Sequence, residues 1–262
     1  MYNIERKSEI INLLETHKNV NVAELAAQFQ TSKETIRRDL RDLEREGVLI
    51  RTHGGAMPVE PKTSSAAMQD KYPVSVRGIR RFQEKQAICK LAASYIQPED
   101  TIFVDNSSTT AYLAQYVPAN IPVTFITNSI QFLLEAAKLN NQNHMYICLG
   151  GIFKSSNLSI YGNMSLDNAK VYYPNKAFLS CSGISANRMI TDSSIQELET
   201  KKLMIELSNQ VFVLADHSKF EKDGQIFLSS FNNIDYIITD SQADRSNCSY
   251  LANYGVELIT VS

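Results

Sequence analysis

Seven short apolar segments, spread between residues 101 and 261, constrain the fold of this chain more than any other feature. Stretches with helical spacing of apolar residues separate them, and this alternation is typical of a mostly parallel sheet with helices on both faces. The segments are TIFV at 101, VTFIT at 123, MYICLG at 145, AFLS at 177, VFVLA at 211, YIIT at 236 and VELITV at 256. We therefore predict an α/β domain over residues 77–262 with a Rossmann-like, mostly parallel sheet.

Polar or glycine residues follow the first five segments, at 105–110, 127–129, 150–151, 182–183 and 216–219. Ligands of such sheets bind beyond the carboxyl ends of the strands, so these residues are candidates for a binding site. The first loop opens TAYLAQYV, which we predict to be a helix whose N-terminal N–H groups bind a phosphate. Plainer alternatives stay open: an N-cap for residues 107–110, a turn for Gly150 and Gly151, and an exposed loop position for Lys219.

The first 57 residues show the pattern of three short helices followed by a hairpin. Apolar residues at helical spacing predict a first helix over residues 4–17, and Asn21 is placed to cap a second. A capping box of Thr31 and Glu34 predicts a third helix from about Ser32 to a stop at Gly47. The alternating stretch VLIRTHGGA then predicts a short strand with a tight glycine turn. We predict a winged helix-turn-helix domain over residues 1–57 and a linker over 58–76.

The third helix has one apolar and one basic side. Ile36, Leu40 and Leu43 fall together on a helical wheel, and the arginines point away from them. A helix-turn-helix inserts the N-terminal half of this helix into the DNA major groove. The alternative is a solvated helix on which the arginines pair with Asp39, Asp42, Glu44 and Glu46. The predicted DNA-binding residues are Ser32, Lys33, Thr35, Arg37, Arg38 and Arg41 on the helix, and Arg51 and His53 on the wing.

Composition limits the other classes of function. The net charge is −2, so attraction to nucleic acid has to be local rather than global. The four cysteines and four histidines are dispersed along the chain, which favours reduced, buried thiols and no metal site, and we predict no cofactor. No apolar run approaches the roughly 20 residues that span a bilayer. We therefore expect a cytoplasmic protein with no membrane partner.

The segment TIRRDLRDLEREGVLIRTHGGA resembles the DNA-binding signature of the DeoR family, bacterial repressors of sugar metabolism. The resemblance extends over nearly the whole chain, and the large domain is similar to the sugar-phosphate-sensing domain that this family shares with phosphosugar isomerases. Asn128, the glycine pair, Glu197, Lys201 and ADHSKF match the family pattern, and Lys85 stands where related isomerases place a phosphate-contacting lysine. Ser108, Ser185 and Met189 depart from it, since the family usually has Gly, Asp and Gly there.

The resemblance implies a homo-oligomeric repressor of a carbohydrate operon that binds double-stranded operator DNA and a phosphorylated sugar effector. The rival interpretation is a phosphosugar isomerase with an appended DNA-binding domain, whose base would come from Asp105, Asp216 or Glu197. We favour a protein without catalytic residues. The predicted effector-binding residues are Lys85, Asp105, Ser107, Ser108, Thr109, Thr110, Asn128, Gly150, Gly151, Lys201 and Lys219.

Overall fold

The computed structural model describes residues 3–59 and 74–261, and the chain separates into two units between Gln83 and Glu84. Most of the predicted linker, residues 60–73, lies outside the described residues, so its boundaries stay a prediction. Helix Val74–Ile79 follows, and it begins inside the stretch predicted as linker. No helix in the described ranges is long and apolar enough to cross a membrane.

The N-terminal unit folds around the apolar faces of its first three helices. Ile10, Leu14, Leu25, Ile36 and Leu40 are among its buried residues. The oxygen of the Asn21 side chain accepts from the backbone N–H groups of the second helix, as predicted. Its elements are α1 (Asn3–His17), β1 (Val20–Asn21), α2 (Val22–Gln28), α3 (Lys33–Arg45), β2 (Leu49–Thr52), β3 (Gly55–Pro58) and α4 (Val74–Ile79).

Helix α3 starts with a different cap from the one predicted. Ser32 Oγ accepts from the backbone N–H of Thr35 at 3.1 Å, and so the capping box of Thr31 and Glu34 is wrong by one residue. Glu34 instead lies in the first turn, where its charge suits the helix dipole. Gly47 ends the helix region with a φ of 72°, as expected for a left-handed stop.

The wing is a hairpin of β2 and β3, and β1 adds a third strand that the sequence did not reveal. Gly54 takes a φ of 97° in the turn. At Gly55 a Cβ atom would lie 2.0 Å from the Val20 carbonyl oxygen. The glycine pair therefore serves the turn at one position and close strand packing at the other.

The C-terminal unit is built on a sheet whose strands are all parallel. Within residues 84–261 its seven strands run in the order β15-β14-β12-β9-β4-β5-β6, which confirms the seven predicted segments and the fold class. Phe103, Phe125, Phe178 and Phe212 are fully buried in it. From α5 onward the helices and strands are α5 (Phe82–Ala93), β4 (Thr101–Val104), β5 (Val123–Thr127), α6 (Ile130–Ala137), β6 (His144–Cys148), β7 (Ile152–Lys154), β8 (Ser159–Tyr161), α7 (Asn163–Ala169), β9 (Lys176–Leu179), β10 (Gly183–Ser185), β11 (Met189–Asp192), α8 (Ile195–Leu207), β12 (Gln210–Leu214), β13 (Ile226–Ser229), β14 (Tyr236–Thr239) and β15 (Glu257–Thr260).

Two small antiparallel sheets stand beside the main one and were not predicted. They are the β7–β8 hairpin and the sheet β10-β11-β13. Met189 begins β11 with a φ of 59°, a left-handed conformation that glycine adopts without strain. This conformation fits the family's usual glycine at that position.

Candidate DNA-recognition surface and effector site

The N-terminal half of α3 presents its polar side chains to solvent. Ser32, Lys33, Arg37 and Arg38 are exposed, and Arg41 is exposed one turn further along. Thr35 is half-buried, and its hydroxyl lies 2.9 Å from Ser32 Oγ within the cap. The predicted residues of this helix therefore share one accessible surface, and Ser32 and Thr35 also hold the start of the helix in place.

Two acidic residues of α3, Asp39 and Asp42, pair with cations outside the predicted basic surface. Asp39 is fully buried and binds Arg6 of α1 at 2.5 Å, and Asp42 binds Lys7 at 2.7 Å. The hydrogen bond and charge of Lys7 hold the pKa of the Asp42 carboxyl below its ordinary value. These carboxylates are thus neutralised from α1.

The basic side chains of α3 consequently keep most of their charge for another partner. Arg37 has only a 3.5 Å contact with Glu34, and both side chains are more than half exposed. Among residues 3–59 and 74–261, Arg38 and Arg41 form no ion pair. The solvated helix with internally paired arginines is not the arrangement that the structure has.

The wing residues differ from each other. Glu44 accepts from the Arg51 backbone N–H at 3.0 Å and from its guanidinium at 2.7 Å. The backbone bond, with the side-chain bond, lowers the pKa of the Glu44 carboxyl. Arg51 therefore fastens the wing to α3 and offers less free charge, whereas His53 is exposed in the turn.

In the C-terminal unit, Asp105 braces the loop that follows β4. The side chain is fully buried. Its Oδ1 accepts from Thr110 Oγ1 at 2.7 Å, and its Oδ2 accepts from the Ser180 backbone N–H at 3.0 Å. With these partners Asp105 ties its own loop to the end of β9.

Lys201 of α8 lies at the centre of this network and is 5% exposed. Its Nζ lies 2.6 Å from Asp192 Oδ2 and 3.1 Å from Asp105 Oδ2, and it donates to the Ser180 carbonyl at 3.0 Å. Burial alone would lower the pKa of Lys201, but the charges of Asp192 and Asp105 outweigh it and raise that pKa. Burial likewise opposes ionisation of Asp192, yet Lys201 holds the pKa of this carboxyl below its ordinary value. Lys201 is thus a fixed, charged part of the site's frame.

Sequence reasoning missed Asp192 because β11 belongs to a small antiparallel sheet outside the predicted strand pattern. Asp192 lies three positions before the start of α8, the helix that carries Lys201. The chain therefore carries two carboxylates for one buried lysine.

The segment after this loop is a 3₁₀ helix, Thr110–Tyr116, rather than the predicted helix of ordinary pitch. Ser107 Oγ accepts from the Thr110 backbone N–H at 3.1 Å, and the Ser107 carbonyl accepts from that of Ala111 at 3.2 Å. Two N–H groups that we expected to bind phosphate are thus already bonded. Thr109 is buried, and its carbonyl accepts from the Cys89 thiol at 2.9 Å.

Two lysines stand near this loop and the neighbouring strand ends. Lys85 Nζ donates to Ser108 Oγ at 3.0 Å, and both residues are buried. Lys219 is half-buried at the end of the 3₁₀ helix His217–Lys219. Its charge favours the thiolate of Cys181, although burial dominates and raises the pKa of that thiol to about 12. Among the described residues Lys219 has no carboxylate partner.

Asn128 and Glu197 each hydrogen-bond to residues in or beside β8. The Asn128 amide donates to the Ile160 carbonyl at 3.1 Å. Glu197 Oε1 accepts from Asn157 at 2.8 Å and from Ser159 at 2.7 Å. Burial would raise the pKa of the Glu197 carboxyl, but hydrogen bonds from Asn106, Asn157 and Ser159 hold it below its ordinary value.

The glycine pair has a packing explanation. Gly150 and Gly151 have φ values of 70° and 121°. A Cβ on Gly151 would lie 2.7 Å from the Tyr161 carbonyl oxygen and 2.8 Å from Ser165 Oγ. Gly151 therefore lets β8 and α7 approach the chain closely, and contact with a ligand is not needed to explain it.

The comparisons with known proteins agree across the chain. A family model described as the DeoR-like helix-turn-helix domain matches residues 6–62, and one described as the DeoR C terminal sensor domain matches residues 80–241. The chain is 34% identical to the uncharacterized HTH-type transcriptional regulator YulB of Bacillus subtilis, over 98% of this chain and 96% of that protein. It is 32% identical to the HTH-type transcriptional repressor GlcR of the same species, over 99% of this chain and 96% of that protein.

Among solved structures, ribose 5-phosphate isomerase A of Methanocaldococcus jannaschii is similar to 52% of this chain and 53% of its own, at 16% identity and a TM-score of 0.38. The family models cover both the helix-turn-helix and most of the α/β unit. This protein is therefore a member of the DeoR family of transcriptional regulators.

Proposed function

We propose that the protein is a repressor of a carbohydrate-utilisation operon whose operator binding is modulated by a phosphorylated sugar. The observation that carries the DNA half of the proposal is the unneutralised basic surface on α3. DNA presents a dense row of phosphates, and a helix that keeps its arginines exposed, with Arg38 and Arg41 in no ion pair among the described residues, suits it. The relative GlcR is named a transcriptional repressor, which supports repression as the direction of control.

The side chains proposed to contact operator DNA divide by chemistry. Arg37 and Arg38 have the planar donors that read guanine edges or hold phosphates, and Lys33 offers a point charge to phosphate. Ser32 and Thr35 have hydroxyls at the helix start. We expect Arg41 and His53 to contact the sugar-phosphate backbone of the DNA. Arg51 instead holds the wing on α3 through its hydrogen bond to Glu44.

We propose a homo-oligomer as the DNA-binding form. One winged helix-turn-helix reads too few base pairs for useful specificity, and paired domains read repeated half-sites. Analytical ultracentrifugation of the full chain with an operator duplex tests this directly. Two or more chains per duplex support the proposal, and one chain bound to a complete footprint contradicts it.

For the effector, the proposal places the phosphate near Lys85, Ser108 and Lys219. Lysine and hydroxyl groups give charge-assisted hydrogen bonds to phosphate, and Lys219 has no carboxylate partner among the described residues. Asp105 and Lys201 neutralise each other, together with Asp192. They serve as the frame of the site and are poorly suited to contact the phosphate itself.

Modulation requires that the effector bind the DNA-competent and DNA-released forms unequally, because a ligand with equal affinity for both shifts nothing. The match to a sensor-domain model supports an effector of this kind. We propose release of the operator on binding, as the resemblance to the family implies.

The isomerase alternative requires a carboxylate base that can reach a carbon-bound proton. The candidates Asp105, Asp216 and Glu197 are 0%, 2% and 5% exposed and already accept hydrogen bonds from protein donors. Such carboxylates are poor bases for an incoming substrate, and we propose that the protein does not catalyse isomerisation. Ribose 5-phosphate and fructose 6-phosphate incubated with the protein in D₂O should show no exchange at the carbon beside the carbonyl by NMR.

Thermal unfolding with phosphorylated sugars tests the effector half. A ligand that binds only the folded state raises the melting temperature. We expect at least one sugar phosphate of three to seven carbons to raise it, with the dephosphorylated sugar and inorganic phosphate much weaker. Lys219→Ala should reduce this shift, and Lys138→Ala, an exposed lysine paired with Glu135 on α6, is the matched control.

A further inference from the structure

Within residues 3–59 and 74–261, two buried amide oxygens near the ends of neighbouring strands have no hydrogen-bond partner. They are Asn106 Oδ1 and Asn128 Oδ1, and the two residues are 3% and 1% exposed. Strands β4 and β5 are paired at Val104 and Thr127. Asn106 lies two residues after the end of β4, and Asn128 lies one residue after the end of β5.

The orientation of each amide is fixed by its other partner. The Asn128 NH₂ group donates to the Ile160 carbonyl at 3.1 Å. The Asn106 side chain hydrogen-bonds Glu197, an ionised carboxylate. A carbonyl oxygen and a carboxylate only accept, so each must face the NH₂ group, and rotating either amide by 180° would set two acceptors against each other.

The two asparagines belong to one hydrogen-bonded cluster. Ser159 donates to Glu197 Oε1 at 2.7 Å, and its neighbour Ile160 bonds Asn128 through both backbone groups. Glu197 therefore aligns Asn106 on one side while the strand β8 aligns Asn128 on the other. This frame leaves two acceptors in place and supplies donors to neither.

A buried acceptor without a donor destabilises the protein unless something supplies the missing hydrogen bond. Building on the function proposed above, we propose that the effector's sugar end donates one hydroxyl to Asn106 Oδ1 and another to Asn128 Oδ1. The pair is then a specificity determinant that requires a polyhydroxy ligand. Glu197 is a positioning residue that acts through Asn106 and does not touch the ligand.

Recognition of this kind discriminates strongly against the missing hydroxyl, because a deoxy ligand leaves the buried oxygen unpaired. It discriminates weakly against changes elsewhere on the sugar. Two particular hydroxyls of the sugar should therefore determine affinity, independently of the contacts made by the phosphate.

The test is isothermal titration of the full chain with glyceraldehyde 3-phosphate, erythrose 4-phosphate, ribose 5-phosphate, glucose 6-phosphate, fructose 6-phosphate, sedoheptulose 7-phosphate and inorganic phosphate. The tightest sugar phosphate is then compared in the parent, N106L and N128L. Each variant should lose about tenfold or more in affinity for the sugar phosphate. Asn157→Leu is the matched control, since it removes another donor to Glu197 without removing an orphan oxygen, and it should cost less than about threefold.

Deoxy analogues of the same sugar phosphate, titrated into the parent, give a second readout that needs no variant to fold. Removing either of two hydroxyls should weaken binding to the parent about tenfold or more. In N106L, one of these two removals should no longer weaken binding, because the oxygen that accepts from that hydroxyl is gone. The inference would be overturned if N106L and N128L lost no more affinity than N157L. It would also be overturned if every deoxy analogue bound the parent within about threefold of the intact sugar phosphate. A parent that binds no sugar phosphate in the set would contradict the proposed function instead.

Discussion

On α3, Arg38 and Arg41 face solvent and form no ion pair among the described residues, whereas in the C-terminal unit Lys201 is 5% exposed and lies between two carboxylates. Both regions are rich in charge, yet they use it differently. Exposed, uncompensated charge suits a large polyanion that is bound from solvent. Buried, compensated charge gives a rigid frame, and a small ligand is then selected by the few polar atoms left unsatisfied.

The acidic partners explain the difference. Asp39 and Asp42 form ion pairs with Arg6 and Lys7 of α1. These two carboxylates therefore do not neutralise the arginines of α3. Asp105 and Asp192 instead converge on one lysine. Removing a charge should consequently affect folding in the C-terminal frame and DNA affinity on α3.

The largest effect is expected at Lys201. Lys201→Met should destabilise the protein by about 3–5 kcal/mol, because it leaves two buried carboxylates without a counter-charge. Lys202→Met, next along the same helix, removes only an exposed pair with Glu199 and should cost less than about 1 kcal/mol. Urea unfolding of both variants measures the two values, and equal losses would contradict the buried frame.

The pair of Arg6 and Asp39 should come next. Arg6→Met should cost about 3 kcal/mol, since Asp39 is fully buried and would lose its counter-charge. Combining it with Asp39→Leu should restore much of the loss, because neither charge then remains buried. Thermal unfolding followed by far-UV circular dichroism compares these stabilities. A double variant less stable than Arg6→Met alone would show that the loss of the ion pair does not cause the destabilisation.

A smaller effect, on binding rather than folding, is expected at Arg37 and Arg38. Substitution of either by Ala should weaken operator binding by about 1–3 kcal/mol if it reads a base, and should flatten the salt dependence if it holds only phosphate. Lys138→Ala removes the same charge from the C-terminal unit and should leave affinity unchanged. Fluorescence anisotropy at several salt concentrations separates these cases, and unaltered binding in both arginine variants would refute the role of α3.

The smallest effect is expected at the cap of α3. Ser32→Ala should destabilise the N-terminal unit by about 1 kcal/mol, because it removes the acceptor for the Thr35 N–H. Thr31→Ala should cost less, since the side chain of Thr31 has no part in the observed cap. Thermal unfolding of the two variants compares them, and the reverse order would restore the capping box that the sequence suggested.

The strands of the main sheet were predictable because a buried parallel strand is a continuous apolar run between polar ends. The 3₁₀ helix at Thr110–Tyr116 was not, since its apolar residues fit an ordinary helix equally well. Strands β10 (GIS) and β11 (MITD) were missed because neither contains a continuous apolar run like those of the main sheet.

For the sites, the sequence predicted which residues lie near the strand ends. It did not predict which of their polar atoms already form hydrogen bonds within the protein. Asp39 has the sequence signature of a solvated helix residue, and only the packing of α1 places Arg6 over it. The orphan oxygens of Asn106 and Asn128 depend on contacts with Glu197 and Ile160 far along the chain. Hydrogen bonds between residues that are far apart along the chain leave no recognisable pattern in the local sequence.

Measuring operator affinity with and without effector tests whether a phosphorylated sugar controls DNA binding by this protein. Duplexes enriched from a random pool by the full chain would be titrated by fluorescence anisotropy, alone, with the sugar phosphate that stabilises the protein most, and with its dephosphorylated sugar. The account predicts that only the phosphorylated sugar weakens binding, by about fivefold or more, and that DNA weakens sugar-phosphate binding by the same factor. No enriched sequence, unchanged affinity, or an equal effect of the dephosphorylated sugar would contradict it.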